Sequence, residues 1–167
     1  MAIMLGGAAA TVAVGVHVSA WPAPVAMAAV LVAAGVGGVF VASIPAALAR
    51  FRGVPEVLST ILLNFLMIQA TSWLVRGPLQ EAAGSYPQSD PIALNAMLPR
   101  LLGQTRLHLG TIVAFMIAFC IFLFLYRTTH GFQWRATGAN PSAAKFAGFR
   151  TIQIAAFSLL ASGALAG

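Results

Sequence analysis

Five stretches of this chain, residues 2–18, 25–49, 57–75, 107–126 and 151–167, contain no Asp, Glu, Lys or Arg. A bilayer core about 30 Å thick is crossed by roughly 20 helical residues. The middle three stretches meet that length, while the outer two, with 17 residues each, sit at its lower limit. Nine basic and three acidic side chains make up 7% of the chain, against about 25% charged residues in a soluble globular domain. Hydrophobic residues reach 60%. Water cannot be the solvent over most of such a surface. The sequence predicts an all-α fold, a polytopic transmembrane helix bundle of about five helices.

The first stretch lacks the basic start of a signal peptide, and Ala20-Trp21-Pro22 is a poor cleavage context. Gly7, Thr11 and Gly15 recur every four residues, a spacing suited to close helix packing in lipid. It is read as a retained helix. The last stretch ends abruptly in Ser162-Gly163-Ala164-Leu165-Ala166-Gly167 and reads as truncated. Threading five helices back and forth gathers Arg50, Arg52, Arg127, Arg135, Lys145 and Arg150 on one side. By the positive-inside bias that side is cytoplasmic, with the N-terminus, and residues 76–106 lie outside.

In the outer loop Gly77-Pro78, Tyr86-Pro87 and Asp90-Pro91 are turn signals. Ile92 to Leu98 is apolar but too short to span. It is either a short helix in the interface or folded over the bundle, or a loop resting on the outer face. No short-period repeat is present.

Function classes narrow quickly. A net charge of +6 suggests nucleic acid in a soluble protein, but here the basic residues flank apolar runs and lack the interleaved aromatics of a nucleic-acid surface. No nucleic-acid partner is expected. The acids are Glu56, Glu81 and Asp90 alone, and His17, His108 and His130 are scattered at helix ends or in a loop. No HExxH, GxSxG or phosphate-binding loop occurs, so no catalytic residue, metal site or cofactor is expected. Thr128-Thr129-His130-Gly131 is read as an interfacial loop, and Cys120 as a small buried hydrophobe.

Two segments carry more. On the third stretch Glu56, Thr60, Asn64 and Thr71 fall within roughly 80° of one helical face, opposite Leu58, Leu62, Phe65 and Leu66. Polar groups at membrane depth either line a watery path or bond between helices. Both readings stand for Asn64; Thr71 is assigned to packing, and Glu56 to an interfacial ion pair beside Arg50 and Arg52. The second segment is 131–150. There Asn140-Pro141 is a helix start, Ser142 to Ala147 make about two turns, and Gly148 closes them. Two turns are unstable alone in water, so this helix must dock on something. Small Ala143, Ala144 and Ala147 leave room for another surface to approach.

These segments carry a resemblance. Gly53-Val54-Pro55-Glu56-Val57-Leu58-Ser59-Thr60-Ile61-Leu62-Leu63-Asn64 resembles the G-x-N-E-V-x-x-T-I-M-L-N stretch of permease subunits of bacterial ABC importers for nucleosides, grouped with simple-sugar and branched-chain amino acid permeases. Leu74-Val75-Arg76-Gly77-Pro78-Leu79, Leu107-His108-Leu109-Gly110, Gly131-Phe132, Arg135-Ala136 and Gly138-x-Asn140-Pro141-x-Ala143-Ala144-x-x-Ala147-Gly148 follow in the family's order, over about residues 53–167. Pro55 stands where the family has asparagine. The resemblance implies that residues 1–167 are a single transmembrane permease domain, partial, from a fold about twice as long. It implies uptake of nucleosides, with sugars or branched-chain amino acids as alternatives, across a bacterial plasma membrane. It also implies an ABC ATPase subunit that hydrolyses ATP, a second permease subunit and an outside substrate-binding protein. Gly138, Asn140, Pro141, Ala143, Ala144 and Gly148 would then form the helix that couples to the ATPase, while the polar face of the third stretch, not the resemblance, puts Thr60 and Asn64 on the substrate pathway. A non-transporting membrane fragment or scaffold is the rival reading.

Overall fold

A computed structural model describes residues 1–81, 86, 88–97 and 108–167, with the backbone alone at Glu56. Seven α-helices and one 3₁₀ turn, and no strand, are found among the described residues: α1 (Ala2–Gly15), α2 (Ala23–Arg52), α3 (Glu56–Arg76), the turn Leu94–Ala96, α4 (Leu109–Arg127), α5 (Thr129–Ala139), α6 (Pro141–Phe146) and α7 (Thr151–Ala166). The fold is all-α, as expected. Three helices, α2, α3 from Val57 and α4, are long and apolar enough to cross a membrane, and the chain is a multi-pass membrane protein. At 1.5 Å per residue α2 runs about 45 Å, more than the hydrocarbon core, so it must tilt or project beyond it. The chain forms two compact units, Met1–Met97 with Leu159–Gly167, and Leu98–Ser158.

The first unit is built on contact between small residues. A Cβ on Gly37 of α2 would sit 2.6 Å from the Gly6 carbonyl oxygen and 2.7 Å from Ala10 Cβ, and one on Gly38 would collide with the Gly163 carbonyl of α7. Lipid gives no hydrophobic drive between helices, so backbones that touch closely gain packing that larger side chains would forbid. The expected Gly7 and Gly15 are both buried, but against different neighbours: Gly7 meets Gly167, and Gly15 meets Ile92. Ala2, Val41 and Leu63 close a core where α1, α2 and α3 meet, with Ile3 and Met67 packed on it.

Helix α2 ends at Gly53, whose φ of 64° is left-handed, with Arg50 and Arg52 in the last turn. These cations favour a helix C-terminus. Pro55 then holds the N-cap of α3, a position where asparagine accepts a hydrogen bond but proline offers no acceptor. The expected ion pair of Glu56 lies outside the described side chains.

The segment after α3 folds back. Asn95, on the 3₁₀ turn, donates through its side-chain nitrogen to the carbonyls of Val18, Ser19 and Trp21 at 2.9, 3.2 and 2.8 Å. Ala96 joins Val18, Ala26 and Val30 in a second core. Between Ile92 and Met97 the described chain is one three-residue 3₁₀ turn in otherwise irregular backbone, packed against the segment after α1 and the start of α2. Pro87, Leu98 and Pro99 lie outside the described residues.

Candidate functional site

In the second unit the end of α4 turns sharply into α5, where the sequence reading placed a loop. Thr128 makes the turn: its hydroxyl donates to the Phe124 carbonyl at 2.6 Å and accepts from the Gly131 N–H at 3.0 Å. It thereby closes one helix and caps the next. A Cβ on Gly131 would stand 2.7 Å from the Leu125 carbonyl oxygen, so only glycine allows α5 this close to α4. Arg135 then reaches back, donating from Nε to the Leu125 carbonyl at 3.0 Å, with its guanidinium carbon 4.5 Å from the Tyr126 ring centre. Trp134 packs edge-on to Phe124 at 5.5 Å.

Asn140 is shared between two helices. Its N–H donates to the Ala136 carbonyl at 3.1 Å, closing α5, and its Oδ1 accepts from the Ala143 N–H at 3.0 Å, opening α6. Pro141 takes the first helical position, where its missing N–H is no loss. At the far end the Gly148 N–H returns to the Lys145 carbonyl and the Phe149 N–H to the Ala144 carbonyl, both at 3.0 Å, with Gly148 at φ 85°. This pair of bonds is the Schellman closure, and its left-handed residue is nearly strain-free only as glycine. The expected helix is present at Pro141–Phe146, one residue short of Ala147. Phe149 meets Phe132 edge-on at 6.4 Å.

The faces of α6 differ sharply. Ala144 is 4% exposed and points into the chain, whereas Phe146 is 95% exposed, with Ala143 and Ala147 beside it on the open surface. Spacing alone had grouped Ala143 with Ala144; the structure separates them. Gly138 is exposed, and a Cβ there would meet nothing within 4 Å, so the fold makes no demand for glycine at that position. Thr137 is 8% exposed and its hydroxyl has no hydrogen-bond partner among the described residues. Such an unmet group costs about 1–3 kcal/mol.

On α3 the polar face is half-buried. The Asn64 Oδ1 accepts from the Ala2 N–H at 2.7 Å, while its amide nitrogen donates to none of the described residues. Thr60 and Thr71 donate within their own helix, to the carbonyls of Val57 at 3.1 Å and Met67 at 2.8 Å. The deeply buried residues are Ser59 and Leu63, one position before Thr60 and Asn64, so the polar pair stands at the edge of the inner face. Leu58, Leu62, Phe65 and Leu66 are exposed, as expected of a lipid-facing side. Cys120 is exposed on α4, not buried, because α4 buries none of its residues.

Over residues 1–167 the chain matches the family described as branched-chain amino acid transport system / permease component. It is 34% identical to a glucose ABC transporter permease protein of Haloferax volcanii, across 98% of this chain and 45% of that protein. A guanosine ABC transporter permease protein of Bacillus subtilis is 34% identical across 83% of this chain and 40% of its own length. A nucleoside ABC transporter permease protein of Lactococcus lactis is 29% identical across 78% and 38%. The chain therefore spans less than half the length of these curated relatives. No solved structure gives a significant match.

Proposed function

The chain belongs to the family of branched-chain amino acid transport system permease components, and from that premise we propose that it is a permease subunit of an ATP-driven importer that takes up nucleosides. Residues 1–167 form part of one permease domain in a bacterial plasma membrane, with the N-terminus and α5–α6 on the cytoplasmic side. ATP is hydrolysed on a separate ATPase subunit, a second permease subunit completes the pathway, and a binding protein delivers substrate from outside. Two conformations of the bundle alternate, and ATPase closure biases them through α6.

The observation that carries this reading is α6 itself. Six residues cannot hold a helix by propensity, yet both ends are capped and its outward side carries the bare ring of Phe146. A rigid, exposed apolar knob suits insertion into a partner. Within it Asn140, Pro141 and Gly148 set the shape, Ala144 seats the helix on its own chain, and Ala143 and Gly138 leave the partner close access.

Thr60 and Asn64 are proposed to border the substrate path. Support comes from their half-buried position and from the amide nitrogen of Asn64, which donates to none of the described residues. A neutral hydrogen-bonding wall suits an uncharged polar solute better than an amino acid, whose two charges need fixed counter-charges when desolvated. The guanosine and nucleoside relatives favour a nucleoside. A sugar is the second reading, because the glucose permease relative aligns with 98% of this chain. The test is reconstitution of the full-length protein with its ATPase and binding protein in proteoliposomes. Hydrolysis stimulated by a nucleoside and not by glucose is the expected result; stimulation by glucose alone selects the sugar, and hydrolysis indifferent to the permease ends the proposal.

A further inference from the structure

A second pattern runs along α3 on the side away from Leu63, the residue that packs into the core with α1 and α2. Leu58, Leu62, Phe65, Gln69, Ser72 and Arg76 follow one another at alternating steps of four and three residues, and all are exposed. At 100° per residue they share a stripe of roughly 80°. Such an alternation is the seam of a left-handed helix pair, whose positions interlock with those of a facing helix. Leucine and phenylalanine on this side suit lipid equally well. Gln69 does not. It lies seven residues before Arg76, about 10 Å along the axis, within the membrane-crossing part of α3. Its carboxamide makes no hydrogen bond among the described residues.

Hydrocarbon offers an amide no partner, so a polar side chain at this depth is met by protein or by water. Gln69 stands about 140° around the helix from Asn64, off the face assigned to the substrate path, which points to protein. A carboxamide both donates and accepts, so its simplest complement is another carboxamide. Two copies inserted in the same sense and related by a two-fold axis bring each seam residue opposite its own equivalent. Gln69 then meets its counterpart in reciprocal hydrogen bonds, flanked by Leu62 and Phe65. A single polar position in such a seam also sets register, since a shift would leave the amide against apolar side chains. Arg76 ends the seam beyond the apolar stretch, where two like charges can turn apart into water. We propose that α3 pairs with α3 of a second copy of this chain along this seam, and that Gln69 fixes the pairing. Calling that copy the second permease subunit rests on the function proposed above.

The test uses the full-length protein in native membranes, in a cysteine-free background that includes Cys120→Ser, because Cys120 is itself exposed. Under copper phenanthroline, Leu62→Cys, Phe65→Cys and Gln69→Cys should form disulfide-linked dimers at least about fivefold faster than Leu66→Cys and Ile68→Cys, which are exposed but lie roughly 80° to either side of the seam. In vesicles carrying donor- and acceptor-labelled protein diluted with lipid, Gln69→Leu should weaken association about three- to tenfold, the scale of a hydrogen bond between helices in lipid. Gln69→Asn keeps the carboxamide and should lose less. Equal cross-linking at all five positions means chance collision and overturns the proposal. So does labelling of Gln69→Cys by a water-soluble maleimide, which means a watery path, and so does a cross-link to a different subunit in place of a second copy. No cross-link at Gln69→Cys overturns it too: protection from a membrane-permeant maleimide then means cover by another part of the same chain, and free labelling means lipid. Unchanged association of Gln69→Leu removes the role given to the amide and overturns it as well. Nucleoside-stimulated hydrolysis is scored on the same preparations. Pairing without stimulation fails only the transport reading, and stimulation without the seam fails only this one.

Discussion

Helices α2 and α4 are both apolar up to their basic last turns, yet they put that apolarity to different use. Helix α2 buries Ala26, Val30, Gly38, Val41, Ala42, Pro45 and Ala46, none larger than valine and four of them glycine or alanine, while α4 buries none of its residues. Along α4 the residues are Phe115, Met116, Ile117, Phe119, Phe122 and Leu123, all exposed. Size, not hydrophobicity, separates the two. In lipid an apolar side chain gains little by leaving one oily surface for another, so helices associate where small residues let backbones meet. Helix α4 exposes bulky side chains over most of its surface, with the small Gly110, Ala114 and Ala118 four residues apart along one face, and is suited to lipid or to further helices.

The strongest way to break that comparison is to enlarge one small residue in each helix. Gly37→Val on α2 pushes atoms into the Gly6 carbonyl and Ala10. It should destabilise the α1–α2 pair by more than about 3 kcal/mol, beyond ordinary overpacking because backbone is struck. Ala118→Val on exposed α4 should change stability by less than about 0.5 kcal/mol. Reversible unfolding in detergent measures both. Equal losses would mean that α4 has a buried face after all.

A second contrast lies within α6, between adjacent alanines. Ala144→Glu places a carboxylate where a buried methyl sits and should cost about 3 kcal/mol or more, unseating α6. Ala143→Glu, on the open face, should leave the fold intact and reduce ATPase capture tenfold or more, roughly the 1.4 kcal/mol of a modest interface contact. Thermal unfolding and pull-down, run on both variants, separate the outcomes. If Ala143→Glu binds the ATPase normally, the partner does not use this face.

How far the sequence carries depends on what holds each element. Uncharged length located α3 and α4 to within two residues, because lipid solvation is a property of the residues themselves. Helix α2 runs past the expected end through Arg50 and Arg52, since charges at a C-terminus help a helix rather than stop it. Helix α6 was legible through Asn140-Pro141 and Gly148, all local signals. Helix α5 was not: Thr129, His130, Gly131 and Gly138 are poor helix formers, and α5 is held instead by contacts reaching back to Phe124 and Leu125. Thr128, with Gly131 three residues on, was the one available sign. The clamp of Asn95 spans 74 to 77 residues, a separation that no local pattern encodes. At the candidate site the sequence located helix α6, but only packing distinguishes its inward Ala144 from its outward Phe146.

The caps of α6 sharpen the same point at smaller scale. Asn140→Ala removes the acceptor of the Ala143 N–H and should cost about 1 kcal/mol. Gly148→Ala imposes a left-handed φ on a residue with a Cβ, at about 1–2 kcal/mol. Either change should speed hydrogen exchange across 141–147 by about fivefold or more while leaving α2 and α3 unaffected. Faster exchange throughout would show that α6 is not a locally stabilised element.

The smallest expected effect belongs to Pro55, the departure from the family pattern at the start of α3. Pro55→Asn would give that helix a side-chain acceptor where none is present, worth about 1 kcal/mol. The same change frees an unfolded chain that proline had restrained, at about 0.4–1 kcal/mol. The two terms oppose, so the net gain should be no more than about 0.5 kcal/mol. Its direction is still informative. A measurable gain means that proline is tolerated here at the expense of the cap, and a loss of a full kcal/mol would mean that its rigidity fixes the Gly53–Pro55 turn between α2 and α3.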